Sequence, residues 1–115
     1  MPKEITDDLR AKGADIVETS DVKEALSQSD FVYVTRVQRE RFPDEESYLR
    51  CKGSYIVNNE LLKCAKKDIT IMHPLPRVNE ISVAVDDDPR ACYFKQVRNG
   101  RYIRMALIMK MLGIE

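Results

Sequence analysis

The chain has 115 residues, 43% apolar and 33% charged, with nineteen basic residues balanced by nineteen acidic ones. That is the composition of one globular unit, and its zero formal charge argues against nucleic-acid or membrane-surface partners. No apolar run approaches the ~18 residues of a membrane span, and the three cysteines (Cys51, Cys64, Cys92) are an odd number without a CxxC pair, so neither a disulfide framework nor a zinc site is expected and the cytoplasm is the default compartment.

In chain order, MPKEITDDLR is not a signal peptide. Pro2 suits the first turn of a helix, and Ile5 and Leu9 share one face before Gly13 stops it. DIVE, residues 15–18, reads as a short extended stretch. Thr19 or Ser20 is then expected to cap a helix over DVKEALSQ. FVYVT, residues 31–35, is an apolar run rich in β-branched residues, the pattern of a strand buried on both faces.

After Pro43, DEESYLRCKG predicts a surface helix ending at Gly53. Asn58 or Asn59 is placed to cap a helix over NELLKCAKK, ended by Asp68, and ITIM, residues 69–72, predicts a second buried strand. DDDPRACYFKQV has the acidic, proline-punctuated start of a helix. The last segment, from Asn99–Gly100 to Leu112, is apolar over more than half its circumference and asks for a buried partner. Short buried strands alternating with helices predict an α/β fold, a three-layer Rossmann-like half-domain whose small, mainly parallel sheet of about three strands is flanked by helices.

In parallel α/β sheets, ligands bind beyond the carboxyl ends of the strands. FVYVT runs into RVQRERF, and ITIM runs into HPLPRVNEI. Parallel neighbours would bring Thr35, Arg36, Gln38, His73, Leu75 and Arg77 to one edge. An arginine can fork onto a carboxylate or phosphate. Two prolines fix the backbone carbonyls of residues 74–76, and rigid carbonyls suit an ammonium or amide N–H. The residues alone therefore suit a small anionic or zwitterionic ligand and name no reaction. Set against this, RVQRERF also reads as a solvated charged loop, His73 as a structural histidine, and DDDP as a capped helix start instead of a metal cluster.

VYVTRVQRERF and MHPLPRVNEI resemble the two distinctive second-domain motifs of the aspartate transcarbamoylase family, and DPRACYFKQVRNGRYIRMAL resembles the closing segment of that domain. The likeness runs over nearly the whole chain. Pro74 stands where the sister ornithine enzymes carry a cysteine, which favours aspartate. The resemblance implies that residues 1–115 are part of an aspartate-binding domain whose carbamoyl phosphate domain is absent. In the complete enzyme, a cytoplasmic homotrimer without cofactor or metal, the carbamoyl group of carbamoyl phosphate passes to the amine of L-aspartate in pyrimidine synthesis.

By the same resemblance Arg36 would hold an aspartate carboxylate with Gln38 beside it. The carbonyls of Pro74 and Leu75, with the Pro76 segment, would grip the aspartate amino group and the carbamoyl phosphate amide. Arg41 and Glu80 would tie the two domains together, residues 39–48 would form the mobile loop, and His73 would be framework. The serine-threonine-arginine-threonine phosphate loop and the catalytic histidine are not in these 115 residues, so no catalytic residue is assigned and the chain alone is expected to be inactive. Self-association through the C-terminal helix is expected from its apolar stripe. The alternative function is a non-catalytic oligomerising or ligand-binding α/β module.

Overall fold

The computed structural model describes residues 1–53 and 55–114. Helix α1 (Lys3–Ala11) follows Pro2, which sits at its N-cap, one position before the first turn. Gly13 ends it in the left-handed conformation (φ 86°), where Ala14 N–H reaches back to the Leu9 carbonyl at 3.0 Å. Helix α2 (Val22–Gln28) is capped by Asp21, whose carboxylate accepts from the N–H groups of Lys23 and Glu24. Thr19 and Ser20 are therefore not its caps. The Thr19 hydroxyl instead accepts from Asp21 N–H, which sets the carboxylate in place.

Strands β1 (Phe31–Tyr33) and β2 (Thr70–Met72) pair in parallel, Val32 opposite Ile71. The ladder is prolonged at both ends, by Thr70 N–H to the Asp30 carbonyl and Val34 N–H to the Met72 carbonyl, each at 2.9 Å. Isolated parallel bridges join Val57 to Ile81 and Ile71 to Ala91. The expected α/β class is correct, but the expected third strand is not: residues 15–18 take no ladder partner among the described residues. Two β-branched residues between acidic ones mark the segment as extended and cannot supply the neighbour a strand needs.

Helix α3 (Glu45–Cys51) is the surface helix expected after Pro43, capped by Asp44 and followed by Gly53 at φ 75°. The helix expected over NELLKCAKK shrinks to one 3-10 turn at Leu61–Lys63, with Asn58 accepting from Leu61 N–H. Its sequel is pinned from outside: the Arg90 guanidinium donates to the Leu62 and Lys66 carbonyls while holding Asp88 at 2.8 Å. Those carbonyls find a side-chain donor, so no helix is needed to satisfy them.

Buried Leu26, Val34, Val57, Leu62, Ile69, Ile71, Ile81, Val85 and Tyr93 make one contiguous core on the sheet. Helix α4 (Tyr93–Met111) is a single 19-residue helix that passes through Asn99–Gly100 without a break. It touches the core through Tyr93, and every described residue from Arg101 onward is exposed, including Ile103, Leu107 and Met111. The radius of gyration is 17.1 Å, against the ~13 Å of a closed domain of this length. The half of α4 that asked for a partner has none among the described residues.

Candidate functional site

Because β1 and β2 run in parallel, they release the chain at the same edge, with segments 34–41 and 73–80 leaving side by side. This is the position where an open parallel sheet presents ligand-binding loops. The second segment is tied onto itself. His73 N–H donates to the Gln96 side-chain oxygen of α4 at 3.0 Å. Leu75 N–H donates to His73 Nδ1 at 2.8 Å, and His73 Nε2 meets Glu80 Oε1 at 2.7 Å. Glu80 Oε2 accepts from the N–H groups of Val78 and Asn79. Burial alone pushes the Glu80 carboxyl up, but the backbone N–H groups and the His73 ring together hold it below the usual carboxylate range.

Leu75 has φ 47°, a conformation that costs a residue with a Cβ and persists only where its surroundings impose it. The Leu75–Pro76 peptide is cis. Pro74 and Pro76 are exposed and Leu75 is half-buried. Together they line a cavity of about 520 Å³ whose other walls are Tyr33, Gln96, Val97, Gly100 and Arg104.

Arg36 stands at the neighbouring strand exit. Its guanidinium donates to Glu40 at 2.8 Å, and its side chain is 47% exposed. It opens into a second, smaller cavity of about 210 Å³ walled partly by Arg39, Tyr48, Lys52 and Asn79. The two motifs therefore leave one edge of the sheet, and the 73–80 segment lines both hollows, Pro74–Pro76 the larger and Val78–Glu80 the smaller. Gln38 precedes the 3-10 turn Arg39–Arg41, half-buried, and lines neither hollow. Arg41 is exposed and free to meet another surface.

Two expectations change here. Glu80 is 4% exposed and its carboxylate is fully used inside the 73–80 loop, so it is not a charge facing another domain. The reason is position: Ile81 beside it bridges to Val57 in the core, and Val57 N–H donates to the Glu80 carbonyl at 2.9 Å. Arg77 also turns away from the strand edge. It forks onto Asp86, which in turn accepts from the Tyr93 hydroxyl at 2.5 Å. The guanidinium, and after it the Tyr93 hydroxyl, hold the Asp86 carboxyl at about 2. Burial first, and then the Asp86 carboxylate, push the Tyr93 hydroxyl up to about 12. This triad staples the loop to the start of α4 and leaves Arg77 nothing for a ligand.

Gln96, Gly100 and Arg104 were not among the expected site residues. They lie four apart on one face of α4, a helical spacing visible in the sequence once the helix is read as continuous across Gly100. Lys52 and Tyr48 carried no comparable signal, because only the fold of α3 returns them to Arg36. Among the described residues, no group of three or more His, Cys, Asp or Glu side chains is placed to hold a metal ion.

Residues 1–111 match the family model for the Asp/Orn binding domain of aspartate/ornithine carbamoyltransferase. The aspartate carbamoyltransferase catalytic subunit of Thermococcus kodakarensis is 54% identical over 114 residues, 99% of this chain and 37% of that protein. That of Clostridium novyi is 48% identical over 115 residues, 38% of its length. Among solved structures, the catalytic subunit of M. jannaschii aspartate transcarbamoylase superposes with TM-score 0.83 at 43% identity, covering 98% of this chain and 37% of that one. The Trypanosoma cruzi enzyme in complex with carbamoyl phosphate and aspartate superposes with TM-score 0.80 at 38% identity, covering 94% and 36%. The chain thus spans little more than a third of the relatives it matches, 37% in the first of them.

Proposed function

The chain belongs to the aspartate/ornithine carbamoyltransferase family, and from that premise we propose that it is part of the aspartate-binding domain of an aspartate carbamoyltransferase catalytic chain. The observation that carries the choice of ligand is the strand-exit loop at residues 74–76. Its carbonyls, fixed by two prolines, stand one strand away from an exposed arginine. A molecule with an ammonium at one end and carboxylates at the other fits that pairing. The relatives named above are aspartate enzymes, and Pro74 in place of the cysteine of ornithine enzymes agrees with them.

Arg36 binds an aspartate carboxylate through two parallel N–H donors, with Glu40 holding the guanidinium until the ligand arrives. Gln38 supports that end. The carbonyls of Pro74 and Leu75 accept from the aspartate amine and from the amide of carbamoyl phosphate, which brings the two reactants together. The deprotonated amine then attacks the carbamoyl carbon, forming the C–N bond. The C–O bond to phosphate breaks, and the phosphate leaves with its electron pair and takes up the second proton that the attacking nitrogen gives up. The contribution of these residues is orientation and electrostatics. Arg41 faces the carbamoyl phosphate domain in the assembled chain, which works in a trimer-based enzyme.

Calorimetric titration of the purified chain with L-aspartate tests this reading: a saturable heat, absent in Arg36→Ala, is expected. A wild-type chain indifferent to aspartate would remove the reading. The 115 residues alone are expected to form no carbamoyl aspartate. A second reading concerns assembly: the exposed Ile103, Leu107 and Met111 stripe favours self-association of the isolated chain through α4.

A further inference from the structure

The chain's single histidine is 1% exposed and makes both of its ring hydrogen bonds within the loop that carries the ligand-facing carbonyls. A framework histidine would ordinarily tie one element to another. Here the ring joins residue 73 to residues 75 and 80. The Leu75 N–H donates to Nδ1, so that nitrogen carries no proton, and the proton of the neutral ring sits on Nε2, where it donates to Glu80. Glu80 has no spare capacity to turn away, since its other oxygen takes two backbone N–H groups. An imidazolium would aim a second donor at the Leu75 N–H, and the contact would fail.

Leu75 is the one residue other than glycine with positive φ among the described residues. With that N–H anchored, the Pro74 carbonyl is fixed in the opposite direction, because the two share one peptide plane. The Leu75 carbonyl lies one backbone rotation beyond it, on a residue already held at φ 47°. We propose that His73, locked by Glu80 as the Nε2–H tautomer, is a positioning residue that aims the Pro74 and Leu75 carbonyls at the ligand's amine. The assignment rests on the aspartate-binding reading above.

Three forms of the full 115-residue chain separate the roles. His73→Asn keeps an acceptor near Nδ1 and loses the donor to Glu80. His73→Gln keeps a donor toward Glu80 and loses the acceptor for Leu75. In the isotope-labelled wild type, imidazole nitrogen spectra are expected to show Nδ1 bare and Nε2 protonated. Saturation with L-aspartate should move the Nδ1 resonance together with the Leu75 amide. His73→Gln should expose the Leu75 amide to exchange and weaken aspartate binding about tenfold, while His73→Asn restores most of both.

A wild-type Nδ1 that carries a proton overturns the proposal, and that measurement needs no variant to fold. So does equal aspartate affinity in His73→Gln and His73→Asn, which is what a merely structural histidine gives. An Nδ1 that stays still while Arg36 signals move also overturns it. If no signal of the wild type responds to aspartate, the aspartate reading itself fails and the positioning role falls with it, whatever the tautomer spectrum shows.

Discussion

Glu80→Ala separates the place expected for this carboxylate, facing another domain, from the place it takes under its own loop. In the structure its removal orphans three donors at once: His73 Nε2–H at 2.7 Å, Asn79 N–H at 3.0 Å and Val78 N–H at 3.2 Å. A buried pair whose partner is deleted costs more than the bond was worth, because the remaining group stays desolvated. With ~2 kcal/mol for the histidine contact and ~1 kcal/mol shared by the two long backbone bonds near solvent, the loss comes to ~3 kcal/mol. A chain of this size has a total stability of only ~6–15 kcal/mol, so the loss is a large fraction of it. In urea denaturation followed by circular dichroism, with a slope of ~1.5 kcal/mol per molar, the midpoint should fall by ~2 M. Glu60→Ala is the control, since Glu60 pairs with Lys63 on the surface with its side chain 79% exposed, and its cost should stay within ~0.5 kcal/mol. If Glu80→Ala behaves like Glu60→Ala, Glu80 is an outward-facing charge and the buried His73–Glu80 lock is refuted.

Acid should unfold the chain through Asp86. Its folded carboxyl titrates at about 2, whereas an unfolded aspartate titrates near ~3.9. The stabilisation is therefore whole above that value and drains as the pH falls toward 2, with Asp86→Asn flattening the acid limb of the stability curve. The alkaline limb follows the opposite sign. Tyr93 holds its proton to about 12 when folded, so stability should decline as the pH rises above ~10, and Tyr93→Phe should remove that decline. Arg36→Lys should leave the urea midpoint unchanged, since the side chain is 47% exposed. It should still weaken aspartate binding at least ~10-fold, because an ammonium cannot reproduce the two-pronged grip. Leu107→Lys, in the middle of the exposed stripe of α4, should abolish any concentration-dependent growth in particle size seen by light scattering.

Much of this was legible in the residues. FVYVT and ITIM are legible as strands because they are mostly apolar and six of their nine residues are β-branched. Burial is borne out for ITIM at Ile69 and Ile71, but FVYVT is not buried on both faces: Phe31 is 68% and Tyr33 55% exposed, so one face of β1 is left uncovered. HPLPRVNEI stood out because its prolines exclude both helix and ladder. Hydrogen-bond destinations were less visible. Nothing local says that Arg77 will reach Asp86 and Tyr93, that Glu80 will fold under its own loop, or that Arg90 will take over the carbonyls of a would-be helix. Those choices are made by tertiary neighbours. The Asn99–Gly100 pair looked like a break and was not one, because a single glycine costs a helix only ~1 kcal/mol and nineteen residues absorb it. The residues with weak signal, Lys52 and Tyr48, reach the Arg36 hollow only after α3 has turned back.

The most direct test of the central claim is an amide-resolved NMR titration of the labelled chain with L-aspartate, using L-ornithine as the control. Saturable shifts at Arg36, Leu75 and their neighbours on adding aspartate, with none on adding ornithine, are the expected result. Dispersed signals that ignore aspartate, or that respond to ornithine equally, would contradict it.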